Sequence, residues 1–128
     1  MAILSQDKTY AVVGASTDPD KYGYQVFQDL LQSGFQAVPI NPNANKLLGK
    51  KVYASLDKCP QQIDVVVFVV PPSITEKVLK QVKTLGINQV WMQPGSESQS
   101  AIEFCRKNDI AVVAHACIMR KRSSLKTD

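Results

Sequence analysis

The stretch Asp64-Val-Val-Val-Phe-Val-Val70 constrains the fold of this chain more than any other. After Asp64 it is apolar throughout and rich in β-branched residues. A strand with one wet face alternates polar and apolar side chains, whereas an unbroken apolar run suits a central strand covered on both faces. Pro71-Pro72 stops it. Strand and helix patterns alternate around this run. Thr9–Gly14, Gln36–Ile40, Gln89–Met92 and Ile110–Ala114 read as strands. Tyr24–Ser33 reads as a helix, with Val26, Phe27, Leu30 and Leu31 apolar and Gly34 as its stop. Ser73-Ile-Thr-Glu76 has the form of a capping box. Ile74, Val78, Val82 and Leu85 would be the buried face of the helix that follows, which ends at Gly86. Ser96 to Gln99 offers a second cap, ahead of an apolar stripe of Ala101, Ile102 and Cys105. Asn41–Lys51 is a polar loop, with a short extended piece at Lys51–Tyr53. The expectation is one α/β domain, a sheet of about five parallel strands with right-handed crossovers.

The composition agrees with one domain. The chain has 128 residues, 45% hydrophobic and 20% charged. It contains no apolar run near the roughly 20 residues of a membrane span. Its start lacks the basic segment and apolar core of a signal peptide, so the cytoplasm is the expected compartment and no membrane partner is expected. Cys59, Cys105 and Cys117 have neither metal spacing nor an even count, and Cys105 is expected in the core. The net charge is +4. Most of it comes from Arg120, Lys121, Arg122 and Lys126, which oppose only Asp128 in the segment 118–128. That placement describes a basic, solvated tail and no nucleic-acid-binding face.

Ligands of such sheets bind at the carboxyl ends of the strands, where the strand order reverses. The segments that follow the five strands are therefore the candidate site. Gly14 to Gly23 forms a strand–turn–helix junction that aims free N–H groups at an anion. Gly14 allows close backbone approach, Ser16 offers a hydroxyl and Lys21 a charge. The spacing is neither a dinucleotide glycine fingerprint nor a P-loop. The second strand ends in Asn41-Pro42, without the carboxylate that holds the ribose diol of NAD. Val70, Pro71 and Pro72 offer a rigid apolar wall, and Gln93, Pro94 and Gly95 a second turn before a helix. His115 and Cys117 would point the same way in an extended segment. No carboxylate is near enough in sequence to orient the histidine, so neither is assigned a catalytic role. No His, Cys or Asp cluster predicts a metal.

Taken in order, these pieces resemble the stand-alone CoA-binding domain proteins. Those are small Rossmann-like proteins similar to the amino-terminal domain of the succinyl-CoA synthetase alpha subunit. The resemblance runs from about Thr9 to Cys117. It rests on Val12-Val-Gly-Ala-Ser16 with Pro19, Lys21 and Gly23, and on Val38-Pro-Ile-Asn-Pro42. Leu48-Gly-Lys-Lys-Val-Tyr-Ala-Ser-Leu56, Asp64-Val-Val, Val90-Trp-Met-Gln-Pro-Gly95 and Cys117 complete it. It implies a doubly wound sheet with helices on both faces and a cleft for coenzyme A or an acyl-CoA. Gly14, Ser16, Lys21, Tyr22 and Gly23 would meet its phosphates, and Asn41 and Pro42 its ribose. Val70, Pro71 and Pro72 would flank the adenine. Gln93 and Gly95 would line the pantetheine side, and the free thiol would lie toward Cys117. The phosphohistidine of the synthetase belongs to another domain, so His115 inherits no such role and ligase activity is not implied. The competing readings are an NAD(P)-binding oxidoreductase or redox-sensing domain, and a scaffold subunit of a larger CoA-ligase-like complex. A homodimer is a further possibility for the chain.

Overall fold

The structure, a computed structural model, describes residues 4–125. Five parallel strands form its sheet: β1 (Thr9–Val13), β2 (Gln36–Ile40), β5 (Val65–Phe68), β6 (Gln89–Met92) and β7 (Ala111–Val113). Their order across the sheet is β2-β1-β5-β6-β7. The apolar run thus becomes the middle strand. The chain builds outward from β1 to β2, then crosses back to lay β5 on the other side of β1. The order reverses between β1 and β5, and that is where the strand ends part to form a crevice.

The two faces of the sheet carry separate cores, as alternation along each strand requires. Tyr10 and Val12 of β1, Val65 and Val67 of β5, and Trp91 of β6 face one side. There they pack against Val26, Phe27 and Leu30 of α1 (Tyr22–Gln32) and Ile118 of α4 (Ile118–Leu125). Ala11, Val13, Val66, Phe68, Val90 and Met92 face the other side. Their partners are Leu79 and Val82 of α2 (Pro72–Thr84) and Ala101 and Cys105 of α3 (Gln99–Lys107). The fold is therefore α/β and Rossmann-like, with helices on both faces, and Cys105 is a core residue as expected.

Several local expectations need correction. The capping box at Ser73 and Glu76 does not form. Pro72 takes the first helical position, where its fixed φ suits a helix start, so α2 begins two residues earlier than a Ser73 cap would place it, with no side-chain cap. Glu76 instead accepts a hydrogen bond from Ser98 Oγ at 2.6 Å. The buried face of α2 is Thr75, Leu79 and Val82, while Ile74 and Leu85 are exposed. The second cap is Ser98, whose hydroxyl accepts from Ala101 N at 3.0 Å. Ser96 Oγ accepts from Val70 N instead, at 3.0 Å. The polar loop holds a small antiparallel pair, β3 (Lys46–Leu47) with β4 (Lys50–Lys51), and Tyr53 bridges to Ile40. The basic segment expected to be a solvated tail keeps Arg120 and Lys121 exposed but begins as a helix. Residues 118–125 are α4, anchored by a fully buried Ile118, and residues 126–128 lie outside those described.

Candidate functional site

Gly14 and Gly23 fit the crevice between β1 and β5 for steric reasons. Gly14 has φ +98°, and a Cβ there would lie 2.3 Å from Val69 O and 2.7 Å from Val70 Cγ1. A Cβ on Gly23 would lie 2.0 Å from Gly14 O and 2.9 Å from Gly14 C. The first turn of α1 therefore rests on the backbone of the β1 turn, which the missing Cβ of Gly23 allows, while the missing Cβ of Gly14 lets that turn lie against Val69 and Val70. Helix α1 starts at Tyr22, two residues earlier than the apolar periodicity indicates. Lys21 is its N-cap, exposed, and no side chain caps the first turn. An uncapped helix start beside a lysine is a favourable environment for an anion. Ser16 lies in the same turn, where its Oγ accepts from Asp18 N at 3.0 Å.

Asn41 has a structural task at the end of β2. Its Nδ2 donates to Ala15 O at 2.8 Å and its Oδ1 accepts from Asn43 N at 2.8 Å. The side chain thereby ties the β2 loop to the β1 turn. Pro42, Pro71 and Gly95 lie exposed on loops of the same sheet edge. Val70 is half-buried beside Gly14, and Pro72 opens α2.

At the far end of that edge Tyr22, Gln93 and Cys117 meet. Gln93 is fully buried. Its Oε1 accepts from Ile118 N at 2.8 Å, and its Nε2 donates to the Tyr22 hydroxyl at 2.7 Å and toward Cys117 Sγ at 3.4 Å. A backbone N–H can only donate, so the amide has one possible orientation, with its NH2 toward the thiol. The Tyr22 hydroxyl donates to Cys117 Sγ at 3.1 Å. Trp91 Nε1 donates to Ala116 O at 2.9 Å and pins the same corner. Trp91 of β6 and Gln93, the residue after that strand, thus hold the start of α4 from below. Gln93 consequently lies under the cleft instead of lining it. Tyr22 opens α1 beside Lys21, with its hydroxyl bonded to Cys117 and Gln93.

The extended segment that would let His115 and Cys117 point the same way does not form. His115 has φ +62°, in the left-handed region, although both residues line the same cleft. Cys117 takes its hydrogen bonds from Tyr22 and Gln93. Burial alone raises its thiol pKa. Hydrogen bonds from Tyr22, from Gln93 and from the backbone at Arg120 and Met119 outweigh that and leave it below the ordinary cysteine value. Burial, and next the hydrogen bond to Cys117, push the Tyr22 phenol well up, so it remains a donor. Cys117 opens onto a cleft of about 590 Å³ lined also by Pro94, His115, Ala116, Arg120 and Lys121. Trp91 and the Tyr22–Gln93–Cys117 cluster are not apparent from sequence motifs. The one available signal is strand alternation, which puts Trp91 and Gln93 on the α1 face of β6.

Among the described residues no group of three or more His, Cys, Asp or Glu is placed to hold a metal ion. None of their helices is long and apolar enough to cross a membrane.

Comparison with known proteins bears on this site. A Pyrococcus furiosus conserved hypothetical protein of known structure superposes with a TM-score of 0.86 at 39% identity, covering 89% of this chain and 98% of that one. The Bacillus subtilis uncharacterized protein YneT is 29% identical over 120 residues, 91% of this chain and 86% of its own length. Subunit alpha of acetate–CoA ligase [ADP-forming] II from Pyrococcus furiosus is 29% identical over 119 residues. That match takes in 84% of this chain but only 26% of the subunit, so the chain spans about a quarter of that relative. A family model described as a CoA binding domain matches residues 8–122, which include the glycine turn, the Gln93 cluster and Cys117, and the chain belongs to that family.

Proposed function

We propose that the crevice along the strand ends binds coenzyme A or an acyl-CoA. The observation that carries this reading is the junction of β1 and α1 in a chain of the CoA binding domain family. There Gly14 and Gly23 bring two backbones together, and Lys21 stands at an uncapped helix start. Such a junction suits a pyrophosphate, with Ser16, Lys21 and the first amides of α1 as donors. Asn41 and Pro42 would border the ribose, and Val70, Pro71 and Pro72 the adenine. The pantetheine arm would run past Gly95 toward the cleft at Cys117, with Arg120 and Lys121 as counter-charges. Tyr22 and Gln93 then act from beneath, holding that end of the site in shape. In this reading the chain is a binding domain and any ligase chemistry belongs to other domains or partners.

A nicotinamide dinucleotide is a poorer fit. No carboxylate follows β2, and the polar atoms of Asn41 are already bonded to Ala15 O and Asn43 N.

The test is thermal unfolding with coenzyme A, acetyl-CoA, NAD⁺, NADP⁺ and ADP, repeated on Lys21→Ala. Saturating coenzyme A at about 100 times its Kd is expected to add roughly 2.7 kcal/mol of stability. The gain should be weakened in Lys21→Ala. Stabilisation by NAD⁺ alone would overturn the reading.

A further inference from the structure

We propose that Cys117 is a thiol–disulfide exchange site that captures the thiol end of coenzyme A as a mixed disulfide. The inference rests on the binding reading above and adds a reaction to it.

Three features of the structure lead here. Cys117 Sγ receives two side-chain hydrogen bonds, from Tyr22 Oη at 3.1 Å and Gln93 Nε2 at 3.4 Å. Both are donors whose roles are fixed, since Gln93 is fully buried and its amide is oriented by Ile118 N. The sulfur precedes the first turn of α4 and opens onto the cleft that carries His115, Arg120 and Lys121. Two hydrogen-bond donors, a helix start and nearby cations all favour a thiolate over a thiol. A purely structural cysteine has the opposite setting. Cys105 shows it, being sealed in the core against α2, with its pKa pushed up to about 11 by burial.

The third feature is the absence of an internal partner. All three cysteines are free. Cys105 packs in the core on the opposite face of the sheet, and Cys59 packs against that same core, with its sulfur bonded near Gln61. Neither is placed to resolve a bond at Cys117. A reactive thiol that faces a cleft without a second cysteine exchanges with a disulfide from outside. The ligand that the family binds carries a thiol, and its disulfide form supplies the co-reactant.

The step balances without any further oxidant. The Cys117 thiolate attacks one sulfur of coenzyme A disulfide. The reagent's S–S bond breaks, the bond from Cys117 to the captured coenzyme A forms, and the second coenzyme A leaves as a thiolate that is protonated by solvent. A small thiol reverses the sequence. Tyr22 and Gln93 act through the sulfur that attacks, to which both donate.

The experiment incubates the full chain with coenzyme A disulfide or glutathione disulfide and follows intact mass without reductant. One coenzyme A adduct per chain is expected, absent in Cys117→Ser, retained in Cys59→Ser and removed by dithiothreitol. Binding in the cleft should make the reaction about tenfold faster with coenzyme A disulfide than with glutathione disulfide. In Tyr22→Phe the rate at neutral pH should fall about tenfold and its pH profile should move upward. No adduct, an adduct on Cys59, or equal rates with the two disulfides would overturn the proposal. Thermal stabilisation of Cys117→Ser by reduced coenzyme A separates the two readings. If it persists while exchange fails, binding stands and only the exchange falls. If stabilisation and exchange both fail, both readings fall.

Discussion

Replacing Gln93 tests whether one buried amide both holds α4 in place and tunes Cys117. In Gln93→Leu the side chain keeps nearly its volume, but Ile118 N loses its acceptor at 2.8 Å in a buried position. An unsatisfied buried donor costs about 1–3 kcal/mol. The lost bond to Tyr22 Oη at 2.7 Å adds about 1 kcal/mol. Tyr22 is only half-buried, so water can serve its hydroxyl and keep that part small. The more apolar side chain offsets part of the loss, leaving a net cost of about 1–3 kcal/mol. For a domain of this size that lowers Tm by roughly 3–12 °C. Gln93→Glu separates the two roles. A carboxylate can still accept from Ile118 N and from Tyr22, but it sets negative charge where the amide now donates to Sγ. The Cys117 pKa should therefore rise in the order wild type, Gln93→Leu, Gln93→Glu. Urea unfolding measures the first effect, and thiolate absorbance against pH, compared with a Cys117→Ser blank, measures the second. Unchanged stability in Gln93→Leu together with an unchanged thiol in Gln93→Glu would refute the reasoning.

Gly23→Ala should destabilise the protein although alanine is the better helix former. Its Cβ would lie 2.0 Å from a backbone oxygen that cannot swing away. Overpacking of about 3 kcal/mol against a propensity gain of roughly 1 kcal/mol leaves a net loss near 2 kcal/mol, read by urea unfolding. Cys105 should shape the alkaline limb of stability. Its pKa is raised from 9.0 to about 11 by burial, so below pH 9 the thiol is neutral in both states and its contribution is intact. Between pH 9 and 11 the unfolded chain releases the proton and the folded chain does not, so stability falls as pH rises. Cys105→Ala should lose stability less steeply across that window.

The strands were legible because a sheet buried on both faces writes itself as apolar runs ended by Gly or Pro. Gln36–Ile40 and Gln89–Met92 match the structure residue for residue. Positions that depend on tertiary contact were not legible. The sequence pattern places the start of α1 at Tyr24, yet the helix starts at Tyr22, where Gly23 rests on Gly14. The face of α2 is rotated from the one its aliphatic residues indicate, since Thr75 takes a buried place and Ile74 does not. The basic residues from Arg120 onward hide a helix that opens on the buried Ile118. At the site, the glycine turn and Lys21 are local signals and were readable. The Tyr22–Gln93–Cys117 cluster joins residues as far as 95 positions apart, and no spacing rule announces it.

The most direct test of the central claim is amide chemical-shift mapping of the full chain on titration with reduced coenzyme A. The account predicts saturable shifts at residues 14–23, 41, 70, 95 and 117, the segments that follow the strands. Shifts confined to the opposite edge of the sheet, or none at saturating ligand, would contradict it.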